Sequence, residues 1–504
     1  MKKQSRTILF LMTAAAAVLL LLLLSACGET PAEVGTDTPA SPTETTAAAQ
    51  TNEAATEPSR ENTPDSLPEL DFNGRDVSVL YRLVSNLPDY EIYAEQTGDI
   101  IDDAVFNRNL KVSERLNVNF KFSGQGKAAA DALPTAVVSS VLAGEAMYDF
   151  WVWGQANILK AATQDLLADV SGMKYIDLDA VWWNSDYIDT MRIGPNHLYF
   201  LTGDLLTTVI SRMSTLFLNK ALYNDLYGDA NALCEDVFDG KFTYDGFGKL
   251  VEGAYADLNG DGARDLDDRY GVMTTLISNT DHFAFTAGLS LGKRKADGTT
   301  VLDVMNENNI AVFEAVNDLY FNNVGFITTE GNEIVDGRAE NRFASNQMLF
   351  LPLWFAATER LRSMDADYLM LPYPKLNEKQ ENYKALVQNT ASVIAVPKTA
   401  GDLDLVGAVL EAMAAENYRT VIPVYYETGL KTKYSRDDVS SQMVDLIYSV
   451  ATSDFFYAYS SSLGSVGTIA RAVVGQQQDF ASYWASKESE VKTALDALIA
   501  LDAE

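Results

Sequence analysis

Short apolar segments alternate with longer helical patterns along the first third of the folded region, and this alternation is the strongest constraint on the fold. Three segments have the length and composition of strands: DVSVLYR (76–82), NFKFSG (119–124) and YDFWVWG (148–154). A helical pattern follows each of them, at 102–118, 128–145 and 158–167. Strand–helix alternation predicts an α/β fold with a parallel sheet and right-handed crossovers. Ligands of such sheets bind at the carboxyl ends of the strands.

Further apolar segments predict a second α/β unit later in the chain. They lie at 197–204, 214–222, 347–356, 368–374 and 392–398. From about residue 400 onward the pattern is mostly helical. A chain of 504 residues is long enough for two packed domains.

The first 27 residues predict export and attachment to a lipid. A basic stretch, MKKQSR, precedes a long apolar run that ends at LSAC, residues 24–27. Small residues directly before a cysteine are typical of the cleavage site of a bacterial lipoprotein signal peptide. We therefore expect a signal peptide over 1–26 and a lipid on Cys27. The alternative is a membrane span, since the apolar run approaches the length that crosses a bilayer.

The segment that follows predicts a flexible tether over 27–67. Residues 28–67 contain no aromatic side chain and are rich in Thr, Ala, Glu and Pro. Such a segment buries too little apolar surface to offset the entropy lost on ordering. The folded part is expected to begin near Leu70.

Charge and cysteine content exclude several classes of protein. The formal net charge of −32 argues against nucleic acid as a partner, because binding a phosphate backbone requires a basic surface. With Cys27 lipidated, Cys234 is the only remaining thiol, so we expect no intrachain disulfide. Neither of the two histidines lies in a zinc-binding pattern.

The stretch DLNGDGARDLDD, residues 257–268, has the spacing of a calcium-binding loop. Its expected ligands are side-chain oxygens and one backbone carbonyl, from Asp257, Asn259, Asp261, Ala263, Asp265 and Asp268. Gly262 stands where such loops turn sharply, and Asp268 stands where glutamate is usual. We predict a bound Ca²⁺ that stiffens the loop. The alternative is a solvated acidic turn.

Six stretches, in a fixed order along the chain, carry a family resemblance. They are NRNLKVSERLNVNFKF (107–122), GEAMYDFWVWG (144–154), WWNSDYIDTMRIGPNHLYFLTGD (182–204), LFLNKALYNDLYG (216–228), GKFTYDGFGKLVEGAYADLNGDGARDLDDRYG (240–271) and LKTKYSRDDVSSQMVDLI (430–447). Together they resemble the extracellular solute-binding proteins of ABC sugar importers, found as lipoproteins in Gram-positive bacteria. Phe242 and Tyr244 replace the tryptophans that many relatives carry there.

The resemblance implies a two-lobed type II periplasmic-binding-protein fold with a helical C-terminal part. Lobe 1 would comprise residues 68–205 plus about 386–425, and lobe 2 residues 206–385, including the loop 257–268. Residues 426–504 would pack across both lobes. The resemblance further implies a monomer on the extracellular face of the cytoplasmic membrane. This protein would capture a mono- or oligosaccharide by lobe closure and deliver it to the transmembrane subunits of an ABC permease, without acting as an enzyme.

Sugars combine apolar ring faces with polar edges, so their sites pair aromatic rings with polar and charged groups. The expected ligand-binding residues are Arg82 and Trp153, each at the end of a strand, with Asp204 and Trp354. For each of them, ordinary packing or an ion pair is the alternative. Packing is the expected role of three further tryptophans, Trp182, Trp183 and Trp484.

Two other functions remain open from the sequence. A secreted glycosidase would need two carboxylates across a cleft, and among 70 acidic residues such pairs cannot be recognised by pattern. A surface lipoprotein that binds ligands outside transport would use the same fold. Release of sugar from an oligosaccharide would indicate the enzyme, whereas stoichiometric binding without turnover would indicate a binding protein.

Overall fold

A computed structural model describes residues 60–84, 91–127, 131–329, 337–361, 367–426 and 438–501. The expected signal peptide, Cys27 and most of the expected tether lie outside these ranges. The described residues belong to a single compact unit. None of their helices is both long enough and apolar enough to span a bilayer.

Strands and helices alternate through most of the described chain. The strands are β1 (Arg75–Arg82), β2 (Val118–Gln125), β3 (Phe150–Gly154), β4 (Ser214–Asn219), β5 (Tyr270–Thr274), β6 (Gly292–Arg294), β7 (Thr300–Leu302), β8 (Phe326–Thr328), β9 (Met348–Trp354), β10 (Tyr368–Leu371), β11 (Ala385–Leu386), β12 (Ser392–Ala395) and β13 (Ala451–Thr452). The helices are α1 (Ile100–Leu116), α2 (Thr135–Leu142), α3 (Gln155–Ala162), α4 (Ser185–Thr190), α5 (Thr207–Ser211), α6 (Lys220–Tyr227), α7 (Ala230–Phe238), α8 (Tyr244–Gly253), α9 (Ser278–Thr286), α10 (Glu307–Asn317), α11 (Arg338–Ala344), α12 (Ala357–Arg360), α13 (Leu403–Glu416), α14 (Asp438–Ser449), α15 (Phe455–Ala458) and α16 (Phe480–Ala500).

The first sheet has the strand order β12-β3-β1-β2. β1 pairs in parallel with both β2 and β3, as the strand–helix alternation predicts. β12 is antiparallel to β3, which the expectation of a parallel sheet did not include. The reason is that β12 enters from the other half of the molecule, so no β–helix–β crossover fixes its direction.

The second sheet has the order β10-β4-β9-β5-β8. β5 is parallel to its neighbours β8 and β9, whereas β4 is antiparallel to both β9 and β10. Every residue of β4, β5 and β9 is buried. These strands are continuous apolar runs because helices cover the sheet, α8 packing against β5 among them.

Two segments that run side by side connect the sheets. The chain leaves the first sheet after Leu201, which bridges to Ile394 of β12, and passes through α5 into β4. It returns between β11 and β12, where Val387 bridges to Met213. We call residues 202–213 and 386–391 the crossing segments. Two α/β sheets joined in this way, followed by a mainly helical C-terminal part, form the predicted two-lobed type II fold. The exact lobe boundaries stay predictions.

The predicted strand at 197–204 is wrong. Among the described residues this stretch makes only single bridges, such as those of Leu201 with Ile394 and of Gly203 with Trp183. The backbone passes so close to a neighbouring segment at Gly203 that a Cβ atom there would lie 2.2 Å from the carbonyl oxygen of Trp182. This close approach interrupts a regular ladder.

The last residues of the expected tether pack against the folded body. Asp65 accepts hydrogen bonds from both terminal nitrogens of Arg115 at 2.7 and 2.6 Å, and from Arg419 at 3.2 Å. Arg60 donates to Tyr418 and to Asp204. Charged contacts therefore hold 60–67 to the body, although the segment is poor in apolar residues.

Candidate functional site

Polar side chains of the crossing segments meet a tryptophan at the carboxyl end of β9. Arg212 lies on the first crossing segment and is only 5% exposed. Its Nη1 donates to Oε1 of Gln388, on the second crossing segment, at 3.3 Å. The guanidinium carbon lies 5.5 Å from the ring centroid of Trp354, the last residue of β9. This geometry is that of a cation–π contact.

Arg82, the last residue of β1, reaches the same place from the first sheet. It is buried, and its Nη2 donates to the carbonyl of Thr390 and to Oγ of Ser392, both at 2.8 Å. Thr390 in turn donates from its hydroxyl to Gln388 at 2.9 Å. We call the six residues Arg82, Arg212, Trp354, Gln388, Thr390 and Ser392 the junction, because they connect both sheets through the crossing segments.

Among the described residues, Arg212 is a buried cation without a matching anion. Burial and, to a smaller extent, the positive charge of Arg82 lower its pKa to about 10, whereas Glu91 acts in the opposite direction. Arg212 therefore stays charged at neutral pH. Within the described ranges it forms no ion pair with a carboxylate, and its Nε has no hydrogen-bond partner there. An unpaired buried charge is costly, so this arrangement requires a reason.

More buried polar atoms collect beside the junction, at the carboxyl edge of the second sheet. Asn279 of α9 donates from its side chain to the carbonyl of Pro352 in β9 at 2.6 Å. Four buried atoms have no hydrogen-bond partner within the described part of the chain: Oγ1 of Thr274, Oγ1 of Thr275, Oδ1 of Asn279 and Nε1 of Trp354. Since buried polar atoms are nearly always paired, a group of unpaired ones at a strand-end edge is typical of a ligand site.

An ion pair connects α9 to the C-terminal part next to this edge. Asp281 is fully buried, and its Oδ2 accepts from both Nε and Nη2 of Arg471. Burial raises the pKa of Asp281 to about 6, although the charge of Arg471 opposes the shift. Burial likewise lowers the pKa of His282 to about 3, so this imidazole is neutral. The pair ties the C-terminal part to the second sheet.

The four predicted ligand-binding residues do not lie together. Arg82 and Trp354 both belong to the junction, which connects them through Thr390, Gln388 and Arg212. Trp153 is fully buried in β3, and its indole N–H donates to the carbonyl of Asp131 at 2.7 Å. Asp204 accepts from Arg60 and from the hydroxyl of Tyr448, both at 2.8 Å. None of these described contacts of Trp153 or Asp204 reaches the junction.

Asp204 lies instead beside a separate pocket of about 250 Å³. This pocket is bounded by α4, by the first crossing segment and by the end of α14, and its lining includes Trp182, Trp183 and Tyr448. Burial raises the pKa of Asp204, while Arg60 and Tyr448 oppose the shift. The indole N–H groups of both tryptophans donate to the buried carboxylate of Glu411, at 3.1 and 2.9 Å. Both rings are buried in the core, and both also border this pocket, so their packing role stays a prediction.

In the loop 257–268, side-chain oxygens bind backbone N–H groups of the same loop. Asp257 accepts from Gly260 at 2.6 Å and from Gly262 at 2.9 Å, and both glycines have a φ of +74°. Asn259, Asp261 and Asp265 each accept from the residue two positions on, at 3.0, 2.7 and 2.9 Å.

Asp268, the last expected ligand, is fully buried and accepts from Leu258 N–H at 3.2 Å and from the hydroxyl of Tyr255 at 3.1 Å. Over the ranges that the structure describes, no three His, Cys, Asp or Glu side chains stand close enough to hold a metal ion. The carboxylate and amide oxygens suit Ca²⁺ chemically. The calcium site, with the carbonyl of Ala263, stays a prediction.

The key residue of the junction, Arg212, was not predicted. It is the only charged residue in the apolar run LLTTVISRMSTLFL, residues 205–218. A single charge in such a run indicates either a buried charge that contacts a polar partner or a ligand, or an exposed interruption of the secondary structure. That signal was available in the sequence. Gln388 and Asn279 lie in segments that carry no comparable pattern.

Comparisons with known proteins identify the fold. No protein-family model matches the chain, and no curated protein has a similar sequence. Among solved structures, the galacto-N-biose/lacto-N-biose I-binding protein of an ABC transporter from Bifidobacterium longum is similar, with a TM-score of 0.57 and 14% identity over 85% of this chain and 98% of that chain.

Two further structures have similar values. A cyclo/maltodextrin-binding protein complexed with maltotetraose has a TM-score of 0.52 and 13% identity, covering 84% of this chain and 97% of that one. An uncharacterised protein of Listeria monocytogenes has a TM-score of 0.53 and 11% identity, covering 84% and 100%. At such identities the likeness shows the fold alone, and it confirms the predicted fold class.

Proposed function

We propose that this chain is the solute-binding component of an ABC importer and that it captures a carbohydrate by closure of its two lobes. The junction is the observation that carries the proposal. It places a tryptophan ring and buried hydrogen-bonding groups where the crossing segments join the two sheets. Two proteins of the same fold are named for lacto-N-biose binding and for a maltotetraose complex, which favours a carbohydrate over other solutes.

The chemistry of the junction suits a sugar. The face of the Trp354 ring that Arg212 does not cover would pack against one side of a pyranose, and Arg212, Asn279 and Thr275 would offer polar atoms to its hydroxyl groups. Rotation of one sheet against the other about the crossing segments would enclose the sugar. Binding of this kind needs no catalytic group, so we propose that the protein is not an enzyme.

The N-terminal residues supply the anchor in this proposal. A lipid on Cys27, exposed by removal of residues 1–26, would hold the protein on the extracellular face of the cytoplasmic membrane. Residues 28–59 would act as a tether that lets the folded part reach the transmembrane subunits of the permease. A monomer is sufficient for this role.

We also propose that the loop 257–268 binds Ca²⁺ as a structural ion. The cation would neutralise the charges of Asp257, Asp261, Asp265 and Asp268, which otherwise crowd together. Because Asp268 is buried beneath the loop and held by Tyr255, a stiffened loop would stabilise its own lobe. No contact of the loop with the junction is involved.

A binding and turnover experiment tests the function. The purified protein is titrated by calorimetry with mono- and oligosaccharides, and the sugar is then recovered and analysed by mass spectrometry. We expect one sugar bound per chain and complete recovery of the intact sugar. Cleavage of an oligosaccharide would instead support a glycosidase. Failure to bind any carbohydrate would refute the proposed ligand class.

A further inference from the structure

We propose that the carbohydrate bound at the junction is acidic and that Arg212 binds its carboxylate. This inference rests on the proposed function and specifies its ligand class, a mono- or oligosaccharide that contains a uronic acid. Three observations carry it: the burial of Arg212, the part of its guanidinium that remains available, and the charges around it.

Burial without a counter-ion is the first observation. Arg212 is 95% removed from solvent, and among the described residues no carboxylate forms an ion pair with it. Other buried arginines of this protein have strong polar partners. Arg108, for example, donates to Asn417, Asn109 and the carbonyl of Ile92. Within the described ranges, Arg212 has one long hydrogen bond, to Gln388 at 3.3 Å, and the face of one aromatic ring. A carboxylate on the ligand would supply the counter-charge that Arg212 lacks among the described residues.

The geometry of the guanidinium is the second observation. Nη1 is taken by Gln388, and Trp354 lies against the group at 5.5 Å. Nε has no partner in the described part of the chain, and neither does Nη2. Nε and Nη2 form one edge of a guanidinium and point their N–H bonds in parallel. That edge matches the two oxygens of a carboxylate, which an arginine binds by two parallel hydrogen bonds.

The surrounding charges are the third observation. Arg82 adds a second positive charge near Arg212, and Glu91 adds a negative charge that offsets it in part without forming an ion pair with Arg212. Arg360, also near, is paired with Glu340 at 2.6 Å. The whole chain carries a net charge of −32, so its overall field repels anions. A local positive site in so acidic a protein indicates selection for a negatively charged group.

Matched pairs of sugars test the inference. Each pair consists of a uronic-acid oligosaccharide and its carboxyl-reduced counterpart, which has the same ring stereochemistry and no charge. Galacturonate, glucuronate and mannuronate oligomers are titrated by calorimetry at pH 7 and constant ionic strength. For the pair that binds, we expect the acid to bind about tenfold to a hundredfold more tightly, as for one charge-assisted bidentate contact.

Variants assign the preference to Arg212. Arg212→Gln should remove the preference for the acid, and Arg212→Lys, which keeps the charge but not the planar edge, should retain part of it. The control is Arg75→Gln, which changes the net charge equally. Arg75, the first residue of β1, is half-exposed and pairs with Asp402. It lies at the opposite end of the strand from Arg82, so this variant should keep the full preference. If Arg212→Gln does not fold, the acidic ligand is still tested by binding of the matched sugars to the wild-type protein. The role of Arg212 is then tested by Arg212→Lys, in which the preference for the acid should be smaller.

The possible outcomes separate the inference from the function on which it rests. Equal or tighter binding of the neutral members would overturn the acidic ligand but leave carbohydrate binding intact. If a sulfated disaccharide binds and no uronate does, the acidic group of the ligand is not a carboxylate, and that part of the inference is refuted. An unchanged preference in folded Arg212→Gln would overturn the role of Arg212. Binding of no carbohydrate of any kind would refute the proposed function together with the inference.

Discussion

Protonation of Glu411 should change the stability of this protein near neutral pH. Glu411 is fully buried in α13, and its carboxylate accepts hydrogen bonds from Trp182, Trp183 and the N–H of Asp177. Burial raises its pKa from 4.5 to about 7, because the charged form loses its water, and the hydrogen bonds oppose this shift only in part.

The sign follows from the higher pKa in the folded state. The folded protein binds this proton more tightly than the unfolded chain, so Glu411 contributes most to the free energy of unfolding below pH 4.5. That contribution is lost as the pH rises through about 7. The two pKa values differ by an amount that corresponds to ~3 kcal/mol at most. Between pH 5 and pH 8 we expect a loss of about 2 kcal/mol from this group.

The assay compares wild type with Glu411→Gln, whose amide resembles the protonated acid in shape. Urea unfolding at pH 5, 6, 7 and 8 gives the free energy of unfolding of both proteins, and other buried carboxyl groups cancel in the difference. The amide nitrogen of the variant cannot accept a hydrogen bond, so one indole N–H loses its acceptor, at a cost that does not change with pH. Relative to wild type, the variant should therefore gain about 2 kcal/mol between pH 5 and pH 8.

Glu416→Gln, on the same helix, is the matched control. Glu416 is paired with Lys111 at 2.7 Å and with Arg419 at 3.1 Å, so its variant should lose stability and should not gain at high pH. A difference between wild type and Glu411→Gln that stays constant from pH 5 to pH 8 would show that Glu411 does not change its protonation in the folded protein over this range.

Three further predictions concern ligand contact, attachment and calcium. Trp354→Ala should weaken binding of the cognate sugar by about 1–3 kcal/mol in calorimetry, whereas Trp153→Ala should lower the free energy of unfolding by about 3–5 kcal/mol and leave affinity unchanged in the folded fraction; the opposite pattern would exchange their roles. Cys27→Ala should release the protein from membranes without changing its Tm, and membrane retention after signal removal would contradict the lipid anchor. Chelation should lower the Tm and added Ca²⁺ restore it, whereas Asp261→Ala should respond to neither; a chelator-insensitive Tm with no calcium in the purified protein would contradict the site.

Local patterns predicted the elements of the first sheet closely. The strand expected at 76–82 forms at Arg75–Arg82, and the helix expected at 102–118 forms at Ile100–Leu116. Both elements are determined by residues close to them in the sequence. The spacing of apolar residues predicts the strand and the helix, and Asp99 caps the N-terminus of the helix. The directions of β4 and β12 depend instead on where the chain returns from the other sheet, which no local pattern contains.

The site shows the same limit. Trp153 and Trp354 both end apolar strands, so the sequence places them equivalently. They differ through partners distant in sequence: Asp131 binds the indole N–H of Trp153, whereas Arg212 lies against Trp354. Arg212 and Glu411 share a recognisable signal, a lone charge in an otherwise apolar stretch. That pattern indicates a buried charge, but its partners become visible only in the folded chain.

Small-angle X-ray scattering of the purified protein, with and without a saturating carbohydrate, tests capture by lobe closure most directly. The sugar is the one that binds in calorimetry, and its recovery is measured on the same sample. We expect a smaller radius of gyration in the complex, with one intact sugar per chain. The Trp354→Ala variant should require more sugar to reach the same change. An unchanged radius of gyration at saturation would refute capture by lobe closure, and a sugar that is consumed would refute a binding role without turnover.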